Sequence, residues 1–436
     1  MLLVASYYFY MCWNVYYVFL ICLTTLTSFF ASIGIENSNK TLIKKVFLWS
    51  SISISLLVLC YFKYYNFFIS SINEVAGSKF ILMNFLLPVG ISFYTFETFS
   101  YTIDVYREKL KAERSLWIYA LFVSFFPKLV AGPIERSENL IPQFHKKTEI
   151  KSSNIIIGLK YVIFGFFMKL VVADRLSMYV DSVYNNVESH SGGTFILATF
   201  CFSFQILCDF AGYSTIAIGL AKFFDYQLME NFRRPYLSLS LSEFWKRWHI
   251  SLSSWFRDYL YIPLGGNRVS KLKIFRNLFI TFLISGFWHG ANWTFLFWGA
   301  LHGVYLILEV IIIKNKKPFF NRFFITRFFK RIFIFCLVSF AWVFFRSNSI
   351  TDSFTIIYKS FDFSKPLFLD LKTLFFGACA VLFLVLIDYY AERSSNENAL
   401  LSEKVTLSGI FIFSTMLMLI LYMGVFDGGQ FIYFQF

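Results

Sequence analysis

Apolar stretches long enough to cross a bilayer recur along this chain, separated by short polar segments. They fall near residues 2–32, 46–72, 80–104, 116–133, 154–180 and 194–223, and again near 277–313, 325–346, 372–391 and 405–426. About 20 apolar residues suffice for one helical span. A spanning segment must satisfy its own backbone, which makes helix the expected state. The alternating pattern of a membrane barrel is absent. The pattern therefore predicts an all-α polytopic membrane protein. No internal repeat and no long linker marks a second domain, so residues 1–436 read as one transmembrane domain. The first run, from Leu2 to about Ser32, lacks a basic leader and a small-residue cleavage site, and reads as a retained transmembrane segment.

Composition strengthens this reading. The chain is 57% hydrophobic, 22% aromatic and 15% charged, whereas a soluble domain carries about 25% charged residues. The net charge of +14 does not point to nucleic acid, because lysine and arginine sit in short clusters between apolar runs. Residues 314–331 hold seven basic side chains and no acid, and residues 225–276 hold nine against four acids. Both are expected on the cytoplasmic side, and the 181–193 loop, with Asp181, Glu188 and His190, on the other. The long run at 277–313 must then enter the membrane and return. Gly286 and Gly290 are the expected breakers, with a helix from Asn292 to about Ile313. His289 falls at the bend, away from the basic side, near a helix N-terminus and beside a cavity, since broken backbone at membrane depth needs protein or water around it.

The five histidines carry the candidate chemistry. His145 and His190 lie in polar loops. His249 lies in EFWKRWHISLSSWFRDYLYIPLGGNR (243–268), where Trp245, Trp248, His249, Leu252, Phe256 and Tyr259 recur at helical spacing. That stretch reads as one interfacial helix capped near Ser242 and ended at Pro263, an anchor whose His249 faces the protein. An imidazole can take and return a proton near neutral pH, so a hydroxyl attacking an ester or thioester could use one without a metal. His289 and His302 would point about 220° apart on one helix. The seven cysteines form no Cys-x-x-Cys, and no metal site is expected. Ionisable groups inside membranes are functional candidates by default. Asp209 and Tyr213, one turn apart, and Arg257 are further polar candidates.

Four stretches resemble the membrane-bound O-acyltransferase (MBOAT) family, in its bacterial alginate and peptidoglycan O-acetyltransferase branch. They are FFPKLVAGPIERSENLIPQF (125–144), the block from CDFAGYS to LGGNR (208–268), SGFWHGANWTFLFWGALHG (285–303) and the terminal FIYFQF (431–436). The resemblance implies a ring of about 10–11 tilted transmembrane helices, with re-entrant and interfacial helices, around a central tunnel. Residues 80–303 form its most family-like core, 1–79 its N-terminal helices and 314–436 its C-terminal helices. Members of the branch begin with an apolar segment ahead of the stretch similar to LLVASYYFYMCWN, so either this chain starts inside its gene or it lacks that first helix.

The resemblance also implies roles. His289 is the implied base and His249 the second functional histidine, while His302 matches without a role. Trp288, Asn292, Trp248 and Ser251 flank them as substrate contacts. Asp209, Tyr213 and Arg257 either line the acceptor mouth or form structure, such as an Asp209–Arg257 ion pair. The implied activity is transfer of an acetyl group from a cytoplasmic donor, acetyl-CoA or another acyl thioester, with no bound cofactor. The acceptor is a cell-envelope polysaccharide, peptidoglycan first and an alginate-like exopolysaccharide second. The expected partners are membrane lipid, the donor and a periplasmic SGNH-type O-acetyltransferase, in the bacterial cytoplasmic (inner) membrane. A transporter or flippase of an acyl carrier is the alternative. A structural scaffold would leave the intramembrane histidines unexplained.

Overall fold

The structure is a computed structural model that describes residues 1–84, 86–313, 324–394, 400–426 and 431. Lys314, Lys316, Lys317 and Arg322 of the basic segment, and residues 432–436 of the terminal stretch, lie outside the described residues. Among the described residues all regular structure is helical. Seven helical stretches are long and apolar enough to cross a membrane: Val15–Asn37, Thr41–Ala76, Ser152–Tyr184, Gly193–Phe223, Trp293–Ile312, Ile325–Arg346 and Leu371–Arg393. Leu2–Met11 and Leu407–Met423 are shorter apolar helices. The chain divides into two compact units, Met1–Gly158 with Ala217–Met229, and Leu159–Ile216 with Glu230–Phe436.

The first unit contains α1 (Leu2–Met11), α2 (Val18–Asn37), α3 (Thr41–Leu59), α4 (Tyr65–Ala76), α5 (Ile91–Tyr106), α6 (Leu116–Ser124), α7 (Phe126–Leu129), α8 (Ser137–Phe144) and the start of α9 (Ser152–Phe166). Three apolar runs differ from their expected single spans, and the one at 116–133 breaks at Phe125, between α6 and α7. The run at 2–32 breaks after α1, where the Asn14 side chain accepts the Tyr16 amide at 2.9 Å and starts a new turn. The run at 80–104 becomes helical only after Pro88 and Gly90, whose φ of 71° starts α5. α2 turns Thr24, Thr25, Ser28 and Ser32 inward. Their small side chains let α3 and α5 approach, and Ser51 of α3 meets Thr102 of α5 at 3.5 Å. Lys128 pairs with Glu97 in the interior of this unit. Glu97 also accepts the Glu135 amide at 3.1 Å, and Glu135 accepts the Met229 amide.

The second unit takes in the rest of α9, a π-helical stretch Phe167–Ala173, α10 (Asp174–Tyr184) and most of α11 (Gly193–Phe223). It continues with α12 (Leu241–Arg247), α13 (Ile250–Phe256), α14 (Lys271–His289), α15 (Trp293–Ile313) and α16 (Phe324–Arg346). α17 (Ile350–Lys359), α18 (Leu371–Arg393) and α19 (Leu407–Met423) complete it. α14 and α15 form a tight hairpin. A Cβ on Gly286 would stand 2.2 Å from the Phe295 carbonyl oxygen, and one on Gly299 would stand 2.3 Å from that of Phe282. Gly286 therefore remains helical and permits close packing, against the expectation that it breaks the segment. The break falls at Gly290, whose backbone is extended, and Asn292 starts α15 by accepting the Thr294 amide at 3.0 Å.

Polar contacts mark two opposite ends of this unit. At one, Arg346 pairs with Asp181 at 2.6 Å and Asn292 donates to the Asn348 carbonyl at 3.2 Å, which gathers the α14–α15 turn with the sparsely charged 181–193 loop. At the other, Glu309 of α15 accepts the amides of Leu241 and Ser242 and the Ser242 hydroxyl, Arg331 donates to the Leu237 carbonyl, and Arg247 pairs with Glu392 at 2.8 Å. The α14–α15 turn thus lies at the opposite end of α15 from Glu309 and its contacts with Leu241 and Ser242.

Candidate active site

The stretch around His249 is not one helix. α12 ends at Arg247, α13 begins at Ile250, and His249 between them has φ 43° and ψ 56°. A non-glycine residue in this left-handed region costs roughly 1–2 kcal/mol, so its surroundings have to hold it there. Three backbone bonds do so. Ile250 donates to the Asn231 carbonyl, Arg233 to that of Arg247 and Trp248 to that of Phe244, each at 2.8 Å. Aromatic spacing reads straight through this break because Trp245, Trp248, Leu252 and Phe256 are buried on both sides of it. The cap also differs from expectation. Ser240 accepts the Glu243 amide at 3.0 Å, and Ser242 turns instead to Glu309.

Asn231 organises the site, and its side-chain oxygen is a shared acceptor. It lies 3.0 Å from His249 Nδ1, 3.2 Å from the Ser251 amide and 2.8 Å from Ser251 Oγ. Its amide nitrogen donates to Ser214 Oγ at 3.0 Å. Accepting at Oδ1 assigns the proton to Nδ1 and leaves the lone pair on Nε2. Nε2 is buried with no hydrogen-bond partner among the described residues. Burial pushes the His249 imidazole down to about 3, so it is neutral at physiological pH. Sequence reasoning missed Asn231. It sits in an ordinary polar segment, ENFRRP, and only its buried position distinguishes it.

The rings then converge. Phe210 meets the His249 ring edge-to-face at 4.6 Å, and Trp288 lies at 6.1 Å. His289, the last residue of α14, has its ring centroid 6.4 Å from that of His249. Trp288, Trp298 and Phe345 surround His289 at 5.0, 5.1 and 5.4 Å, leaving it 2% exposed. Two histidines 40 residues apart in sequence are thus neighbours in a largely aromatic interior.

The other candidates divide. Ser251 and Trp288 join this cluster, and Trp248 supports it by stacking on Phe244 at 5.5 Å and meeting Trp342 at 5.0 Å. Asn292 serves as the α15 cap. Asp209 does not pair with Arg257. It pairs with Lys169 at 2.5 Å, Tyr213 lies over the same ammonium at 5.3 Å, and Arg257 pairs with its own neighbour Asp258 at 2.8 Å. The first departure arises because Lys169 lies in a separate apolar run, beyond the reach of local spacing, and the second because Arg257 has a carboxylate on the next residue. Arg257 lines a cavity of about 330 Å³ between α12, α13, α14 and α15, with Ser242, Trp245, Ser253, Ser254 and Ser285. Ser285 stands one turn before His289, while neither His249 nor His289 forms part of its wall. His302 is fully buried against Trp245 and Trp298, both at 4.9 Å. Among the described residues, no group of three or more His, Cys, Asp or Glu side chains could hold a metal ion.

Residues 106–350 match the model of the MBOAT, membrane-bound O-acyltransferase family. The chain belongs to this family. It is 40% identical over 368 residues to the probable alginate O-acetylase AlgI of Pseudomonas aeruginosa, covering 83% of this chain and 69% of that protein. It is 35% identical over 382 residues to the peptidoglycan O-acetyltransferase of Helicobacter pylori, covering 82% and 72%. A teichoic acid D-alanyltransferase of Streptococcus thermophilus is 30% identical over 253 residues, covering 54% and 59%. This integral membrane O-acyltransferase has His249, His289 and Asn231 within the matched segment, along with every residue lining the 330 Å³ cavity.

Proposed function

We propose that this O-acyltransferase passes an acetyl group from a cytoplasmic thioester to the hydroxyl of an extracytoplasmic acceptor, for O-acetylation of a cell-envelope polysaccharide. Relatives named for alginate and for peptidoglycan acetylation support that acceptor class. Completion on the sugar by a periplasmic SGNH-type partner, and a place in the bacterial inner membrane, belong to the same reading. The observation that carries the catalytic assignment is the approach of His289 to His249, whose Nδ1 is fixed by Asn231. His289 takes the proton of the acceptor hydroxyl as its oxygen attacks the thioester carbonyl carbon. The carbon–sulfur bond breaks, and the leaving thiolate takes the proton back from His289. His249, whose Nε2 has no hydrogen-bond partner among the described residues, either holds the acyl group beside His289 or serves as its proton partner. Trp288, Trp248 and Ser251 shape and hold that centre. Asn292, Asp209, Tyr213 and Arg257 act at greater remove, through the α15 turn, the Lys169 pair and the cavity rim.

The test is His289→Ala in the full chain, in membranes supplied with labelled acetyl-CoA on the cytoplasmic face. A general base contributes about 10²–10⁴-fold, so label reaching the acceptor should fall by that factor while the protein remains folded. Transfer at the wild-type rate sinks the assignment. Intact labelled donor on the far side would instead mark a transporter.

A further inference from the structure

Three ionisable side chains meet in the interior of the second unit. Lys169 Nζ lies 2.5 Å from Asp209 and 2.7 Å from Asp174, and each residue is at most 5% exposed. Charges inside membrane-spanning helices are expensive to keep and mark function by default. The chain is shaped to make this meeting. Lys169 sits in the π-helical stretch Phe167–Ala173, and π-bulges occur often at functional sites. Gly212 brings α11 alongside, since a Cβ there would stand 2.9 Å from the Gly165 carbonyl oxygen and 3.2 Å from the Lys169 amide nitrogen.

The same two turns of α11 serve His249. Asp209 and Tyr213 face Lys169. Phe210 and Ser214, each one residue further on, serve the imidazole: Phe210 buttresses its ring, and Ser214 accepts from its partner Asn231. A helix is rigid over two turns, so fixing Asp209 fixes Phe210 and Ser214. We propose that Lys169 is a positioning residue for acyl transfer, locking the rotation and height of α11 so that Phe210 and the Ser214–Asn231 pair hold the His249 imidazole in its reactive orientation. This rests on the reading that His249 acts in transfer.

The experiment measures kcat and KM for acetyl-CoA in membranes containing the full chain. Misplacement of a reacting group by about 1 Å can cost about 100-fold. Lys169→Met should therefore lower kcat at least about tenfold with KM changed less than about twofold, and Lys169→Arg should restore most of it. Ser214→Ala should add little to Lys169→Met, because both act through one imidazole. Should Lys169→Met fail to accumulate, the triple variant Lys169→Met, Asp174→Asn, Asp209→Asn leaves no uncompensated charge and should show the same fall in kcat. Wild-type kcat in either folded variant, with His249→Ala inactive, overturns the positioning role alone. Wild-type kcat in His249→Ala overturns the site reading and this inference together.

Discussion

His249 and His302 lie in the same unit, at 1% and 0% exposure, and both are walled by aromatic rings. Their polar surroundings differ in kind. His249 is fixed through Nδ1 to Asn231, which is itself held by Ser214 and Ser251. His302 stands edge-on to Trp245 in an aromatic box, and neither of its ring nitrogens has a hydrogen-bond partner among the described residues. A buried ring nitrogen left without a partner costs about 1–3 kcal/mol. A shell of hydrogen bonds around one nitrogen selects a tautomer and aims the other. Such a shell can aim the His249 imidazole for a proton exchange, and the box around His302 supplies no equivalent hydrogen bond among the described residues. Scarcity in the sequence made both histidines candidates, whereas their hydrogen bonding separates them.

The strongest way to break this comparison is to remove each ring. His249→Ala should lower acetyl transfer by about 10²–10⁴-fold, the range of a lost acid–base group, while His302→Ala should lose less than about tenfold. Transfer rates for the two purified variants, each checked for folding, decide it. Equal losses would erase the distinction drawn from their partners.

The next largest effect should come from Asn231. Asn231→Ala leaves His249 Nδ1, Ser214 and Ser251 without their shared partner. The imidazole remains but loses its aim, so kcat should fall by up to about 100-fold. Stability should fall by about 1–3 kcal/mol for the orphaned groups. A thermal shift together with kcat measures both. Lowered stability with unchanged kcat would reduce Asn231 to a packing residue.

How much of this was legible in the sequence depends on whether the controlling contact is local. The α14–α15 turn was legible: 277–313 is too long for one span, its flanks share charge, and Gly290 supplies the break. The chiral break at His249 was not, because aromatic residues are buried on both sides of it and periodicity carries through. The true partner of Asp209 was hidden for the opposite reason. Lys169 is 40 residues away, in a run whose composition announces only a span. Asn231 had no signal at all, since its role is created by the approach of three segments distant in sequence.

The hairpin gives a smaller, structural test of how His289 is carried. A side chain at Gly299 would strike the Phe282 carbonyl oxygen and the Gly286 backbone. Overpacking of this kind costs about 1–3 kcal/mol. Gly299→Val should therefore lower the melting temperature, and it should reduce transfer less than Asn231→Ala, because it shifts the end of α14 without removing a bond to either imidazole. A variant as stable as the wild type would show that α14 and α15 have room to separate.

The smallest effect is reserved for His302→Phe. A phenyl ring preserves the edge-to-face contacts with Trp245 and Trp298 and removes two ring nitrogens that have no hydrogen-bond partner among the described residues. Replacing unsatisfied polar atoms by apolar ones of similar shape is close to neutral or stabilising. Transfer should stay within about threefold of wild type, since no hydrogen bond among the described residues aims this ring, and the melting temperature should hold or rise by the few degrees that about 1 kcal/mol represents. A large loss of kcat in a folded His302→Phe protein would place His302 in the reaction, and the hydrogen bonding that separates it from His249 would then say nothing about which of the two works.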